Sequence, residues 1–184
     1  MVLGNKIDMV QISEKIYSPI EYLELEINSE LRHEYIQGKI REMTGGTPNH
    51  NQIALNVSST LNFALKRQPY RVFVTDQRLW IPEENIYTYP DVMVISEPLE
   101  LQPGRTDTVI NPLMITEVLS KSTRSYDVDE KFSAYRTIPS FQEYVLIDQY
   151  KVHVSHFYKK ENNQWIFSEY IDKNQVLPLA FIPL

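Results

Sequence analysis

The sequence contains no cysteine, which excludes disulfides, iron–sulfur clusters and thiolate zinc sites. Glycine is scarce, at 5 of 184 residues. The pair Gly45-Gly46 lacks a neighbouring lysine, so no phosphate-cradling Walker loop is formed, and no G-x-S-x-G nucleophile elbow occurs. No run of about 18 apolar residues is present, so no membrane-spanning helix is expected. The opening "MVLGNKIDMVQIS" has no basic stretch leading into a long apolar one, so a secretory signal is not expected. With zero cysteines, a cytoplasmic location is the expectation. Positive charge is also in deficit: 18 Lys and Arg face 24 Asp and Glu, a formal net charge of −6. A protein that binds nucleic acid ordinarily carries a basic footprint, and here only Lys66, Arg67, Arg71 and Arg78 offer a local basic edge.

What is present suits a globular chain. Hydrophobic residues make up 42% and charged residues 23%, enough for one sizeable core. The expected organisation is an N-terminal tail over 1–17 and a single domain over 18–184. Ser18-Pro19 reads as an N-cap and first helical position. "HEYIQGKIRE" reads as a hairpin turning at Gln37-Gly38. Thr47-Pro48 opens the longest helix, expected over 48–67, with Ile53, Val57, Leu61 and Leu65 on one face. Strands are expected at about 71–75 and 78–81. "DVMVIS" and "LMITEVL" are near-continuous apolar runs of the kind found in central strands covered on both faces. A polar, proline-rich loop separates them. "YDVDEKFSAYR" is helical, with Val128, Phe132 and Tyr135 on one face. "FQEYVLID", "KVHVSHFYK" and "NQWIFSEYI" read as three strands, the last two a hairpin across "KENN". Interleaved helices and strands make the class α/β, a mixed central β-sheet flanked by helices.

The strand "MITEVLS" carries one carboxylate, Glu117, among Met114, Ile115, Val118 and Leu119. Burying a carboxylate is costly unless it is paired, hydrogen-bonded or bound to a metal. Asp91 opens the other apolar strand. Two carboxylates on adjacent central strands can coordinate a hard divalent cation such as Mg²⁺, which takes oxygen ligands and keeps water. Such an ion supports phosphodiester hydrolysis. Lys131 lies about 40° from Tyr135 on a helical wheel, at the margin of the apolar face, and can reach inward. Other readings stand beside these. Pro90-Asp91 suits a turn leading into a strand, Glu117 can pair with Arg124 or Lys121, and Lys131 can bridge to Asp127 on a solvated helix face. Glu34 reads first as a surface strand charge, and His50 as a capping or packed histidine. Ser120 and Ser122 can bond carboxylates but also suit a turn. His153 and His156, three apart on a strand, point to opposite faces and make a poor metal pair.

These residues carry a resemblance. "PD" at 90–91, Glu117 in an apolar strand and the helix that follows resemble the PD-(D/E)XK nuclease superfamily. The longer string "ITEVLSKSTRSYDVDEKFSAYRTIPSFQEYVLID", with "HEYIQGKI" and "TPNHNQI" upstream, resembles the Uma-two family of restriction-endonuclease-like proteins over roughly residues 18–160. The resemblance implies a restriction endonuclease-like fold and DNA phosphodiester hydrolysis. It also implies Mg²⁺ or Mn²⁺ on Asp91 and Glu117, with the Val118 carbonyl as a further ligand. The chain departs from the superfamily's E-x-K triplet, because Leu119 stands where the lysine is expected. The family pattern moves that lysine to the helix, here Lys131, and matches Glu34 to a hairpin glutamate with an acidic or water-positioning role. A homodimer is expected, since cutting a duplex requires two strands to be cleaved and soluble oligomers are mostly symmetric. The rival expectation is a catalytically inactive nuclease-like fold that binds nucleic acid or acts in assembly, favoured by the acidic charge and by Leu119.

Overall fold

The computed structural model describes residues 15–121 and 124–182. Most of the expected tail and Ser122 lie outside the described residues. Helix α1 (Pro19–Asn28) begins with a capping box: the Ser18 hydroxyl accepts from the Glu21 amide at 3.2 Å, and the Glu21 carboxylate accepts from the Ser18 amide at 2.7 Å. Such a cap contributes about 1 kcal/mol. Strands β1 (His33–Ile36) and β2 (Lys39–Glu42) form the expected hairpin. Its two turn residues both have positive φ, 49° at Gln37 and 96° at Gly38, which suits a two-residue hairpin loop.

Helix α2 (Pro48–Ala64) starts where expected, with the Thr47 hydroxyl accepting from the His50 amide at 3.2 Å. Its buried stripe is Ala54, Ser58 and Leu61, continued by Leu65, with Ile53 and Val57 at the margin. The expected face is thus rotated slightly towards smaller side chains, which let the helix sit close on the sheet.

Strands β3 (Tyr70–Val74) and β4 (Arg78–Ile81) are neighbours in sequence but belong to different sheets. The chain continues through β5 (Ile86–Thr88), β6 (Val92–Ser96), the two-residue β7 (Thr108–Val109) and β8 (Pro112–Leu119). A π turn over Tyr126–Lys131 then runs into helix α3 (Phe132–Tyr135). Strands β9 (Glu143–Asp148), β10 (Val154–Lys159) and β11 (Trp165–Tyr170) follow, the last two paired antiparallel as expected.

The six-stranded sheet has the order β11-β10-β9-β8-β6-β3 and is mixed, with β8 parallel to β9 and the other pairs antiparallel. It is the central sheet expected for an α/β chain. A second sheet, order β2-β1-β5-β4-β7, packs beside it.

Strand alternation divides the core. Val92, Val94, Met114, Val118 and Val145 pack under α2. Met93, Ile95, Ile115, Leu119, Tyr144 and Leu146 meet Ala134 and Tyr135 of α3 and Leu79, Ile81 and Ile86 of the second sheet. Glu117 shares the parity of Ile115 and Leu119, so its side chain enters this second layer. Truncating a side chain such as Ile115, which is fully buried, is expected to cost about 2–5 kcal/mol. Among the described residues no helix is long and apolar enough to cross a membrane.

Candidate active site

Antiparallel pairing of β6 with β8 places Val92 opposite Thr116, which brings the residue before β6, Asp91, beside Glu117. The two are clasped through the backbone. The Asp91 amide donates to Glu117 Oε2 at 3.2 Å, and the Val118 amide donates to Asp91 Oδ2 at 2.7 Å. His50, in the first turn of α2, sets Nε2 3.2 Å from the same Asp91 Oδ2.

Glu117 is only 3% exposed. Its Oε1 accepts from Lys131 Nζ at 3.2 Å and from the Tyr135 hydroxyl at 2.8 Å. These partners come from the π turn and α3, four residues apart, and the turn's wider backbone is a common device at functional sites. Lys131 is 8% exposed and bridges three carboxylates: Glu117 and Glu34 at 3.2 Å each, and Asp127 at 3.3 Å.

Several expectations need correction. The bridge from Lys131 to Asp127 exists, but in a buried cluster and not on a solvated face. Glu34 is no surface charge: it is buried, with the Thr88 hydroxyl donating to it at 2.5 Å. Glu117 pairs with Lys131 and not with Arg124, whose guanidinium bonds Asp148. His50 does not cap its helix; Thr47 does, and the imidazole turns to Asp91. Arg78 leaves the expected basic edge, because it is buried between Glu26 at 3.6 Å and Asp107 at 3.4 Å. Arg71 is ion-paired with Glu97, while Lys66 and Arg67 remain exposed. His153 and His156 each face a carboxylate of their own, Glu169 at 3.0 Å and Glu143 at 2.6 Å.

Tyr135 and Asp127 were not singled out as site residues from the sequence. A signal was present in the spacing, since both lie four residues from Lys131 and so share its side of a helix.

The charges do not balance. Glu34, Asp91, Glu117 and Asp127 surround Lys131 and His50. Burial pushes the Glu117 carboxyl up to about 8; Lys131 pulls against this, while Asp91 and Asp127 add to it. Burial opposes the charge on Lys131, yet Glu117, Glu34 and Asp127 carry its pKa well above the ordinary value. The hydrogen bond to Asp91 raises His50. His50 Nδ1 and the Tyr126 hydroxyl are buried without a partner among the described residues.

A hard divalent cation fits this chemistry. The donors are oxygens in negative excess, and a cation would offset the burial that disfavours charge on Glu117. Among the described residues no three acidic or histidine side chains form a ready cation cage.

Comparison with known proteins agrees with this architecture. The fold is that of the restriction endonuclease-like nucleases. Residues 19–183 match the Uma2 family, described as "Putative restriction endonuclease", and the chain belongs to that family. It is 40% identical over 176 residues to uncharacterized protein sll1609 of Synechocystis sp., covering 96% of this chain and 99% of the relative. Uncharacterized protein slr1290 of the same organism is 32% identical over 153 residues, covering 83% and 80%. The crystal structure of a "putative nuclease belonging to DUF820" from Anabaena variabilis superposes with a TM-score of 0.71 at 22% identity, covering 88% of each chain. That likeness bears on the fold alone.

Proposed function

We propose that this protein is a metal-dependent endonuclease that hydrolyses DNA phosphodiester bonds. The observation that carries the reading is the reciprocal clasp of Asp91 and Glu117 across β6 and β8, with Lys131 seated on Glu117. Asp91, Glu117 and the Val118 carbonyl would hold Mg²⁺ or Mn²⁺. When bound, such an ion polarises a phosphoryl oxygen and makes water acidic enough to attack at neutral pH. The chain's own residues do the rest. His50 and the Val118 amide fix the rotamer of Asp91. Tyr135 and Lys131 hold Glu117 Oε1, which leaves Oε2 aimed towards Asp91. Lys131 supplies the amine that the E-x-K position lacks and orients the attacking water, while Glu34 holds Lys131 in place. Residues 18–184 act as one domain, in the cytoplasm, and a homodimer cuts both strands.

The test is nicking of supercoiled plasmid with Mg²⁺ and with Mn²⁺, comparing wild type with Glu117→Ala and Lys131→Ala. Metal-dependent nicking lost in both variants supports the assignment. Nicking that persists in Glu117→Ala overturns it. One observation favours a second reading, a non-catalytic binding module: the ammonium of Lys131 already faces three carboxylates, which match its three donors. Under that reading the wild type cuts no DNA form with either metal.

A further inference from the structure

We infer that Arg41, seated over the ring of Tyr126, binds a backbone phosphate of the DNA beside the Asp91–Glu117 site. The inference rests on the endonuclease reading and adds the residue that grips the substrate.

A polyanion approaching a −6 protein and a cluster of four carboxylates requires cations at the rim. Several cations are already engaged. Lys131 is buried in three ion pairs, Arg124 is held by Asp148, Arg78 by Glu26 and Asp107, and Arg71 by Glu97. Arg41 is exposed and makes no ion pair among the described residues. Its position follows from register. Arg41 on β2 lies directly opposite Glu34 on β1, and cross-strand partners share one face of a sheet. Glu34 turns that face into the site, where it meets Lys131. Arg41 must therefore project on the same side, on the exposed edge.

Tyr126 fixes the guanidinium there. Its ring centroid is 5.6 Å from the Arg41 guanidinium and 5.6 Å from Lys131 Nζ, so the two cations are separated by at most twice that distance. One ring thus carries a buried cation that faces Glu117 and an exposed one that faces solvent. A guanidinium held on an aromatic face loses little freedom on binding, and its planar fork matches two phosphate oxygens. The hairpin with its Gln37-Gly38 turn thereby serves the substrate as well as the fold.

The experiment is fluorescence anisotropy of a short fluorescein-labelled DNA duplex in Ca²⁺, titrated at several KCl concentrations, with Mn²⁺ binding measured in parallel. Arg41→Ala is expected to weaken duplex binding about 10-fold and to lower the salt slope by about one, with Mn²⁺ affinity unchanged. Arg41→Lys is expected to keep the slope and lose part of the affinity, because the charge survives without the fork. Lys173→Ala, on an exposed loop, controls for loss of any single charge. Wild-type affinity and slope in Arg41→Ala, or an equal loss in Lys173→Ala, overturns the inference and leaves the endonuclease reading standing. A wild type that binds Mn²⁺ but no duplex overturns the DNA reading itself, and the inference with it.

Discussion

Asp91 and Glu117 hold each other's backbone: the amide of Asp91 donates to the Glu117 carboxylate at 3.2 Å, and the amide following Glu117 donates to the Asp91 carboxylate at 2.7 Å. Each acid is thereby aimed by the strand that bears the other. Asp91→Asn keeps an oxygen to accept from Val118 and removes only the charge. The expected result is a fold of near wild-type stability, Mn²⁺ affinity reduced about 100-fold or more, and no nicking. The comparison needs calorimetric titration and thermal melting on one preparation. Wild-type metal affinity in the asparagine variant would remove Asp91 from the ligand set.

Lys131 is the counter-charge of the cluster. Removing it in Lys131→Met leaves Glu34, Glu117 and Asp127 buried without a cation, a loss expected to cost about 3 kcal/mol or more. Urea denaturation in EDTA measures it. Adding Glu34→Gln and Asp127→Asn to Lys131→Met is expected to recover much of that stability, because contacting charges do not contribute additively. A Lys131→Met protein as stable as wild type would mean that water already screens the three acids.

Protonation of Glu117 links stability to pH. Burial raises its pKa from 4.5 to about 8, so between those values the folded protein binds a proton more tightly than the unfolded chain does. This group's contribution to folding is complete below pH 4.5 and is lost as pH rises through 8. Metal-free wild type is therefore expected to lose stability over that interval, by no more than about 1.4 kcal/mol per pH unit. Glu117→Gln should flatten this component. Parallel pH profiles for the two proteins in EDTA would contradict it.

Legibility from sequence followed the range of each signal. Ser18-Pro19, Gln37-Gly38 and Thr47-Pro48 act within a few residues, and all three boundaries are where local chemistry places them. The nearness of Asp91 to Glu117 was readable because Glu117 interrupts an otherwise apolar strand and Asp91 immediately precedes another. The remainder depends on partners distant in the chain. Nothing local to "YRVFV" and "RLWI" says that they join different sheets. Arg78 resembles any exposed strand arginine until α1 brings Glu26 to it. Glu34 resembles a hairpin surface charge until Thr88 and Lys131 enclose it. The π turn widens a helix that wheel geometry treats as regular.

Gln149 ties the site together without touching either acid. Its amide donates to the Leu119 carbonyl at 3.0 Å and accepts from the Thr47 hydroxyl at 2.5 Å. It thus pins the N-terminus of α2, and with it His50, to the end of the strand that carries Glu117. Gln149 and Leu119 are buried, so Gln149→Ala leaves the Leu119 carbonyl without this partner and is expected to cost about 1–3 kcal/mol. The functional consequence is the sharper one. With α2 loosened, His50 no longer holds Asp91, and Mn²⁺ affinity should fall about 10-fold, as for other partners that orient ligands. A merely structural glutamine would lower the melting temperature and leave Mn²⁺ affinity at low temperature untouched. Combining Gln149→Ala with His50→Ala separates the cases: if Gln149 acts through His50, the double variant binds Mn²⁺ no more weakly than His50→Ala alone.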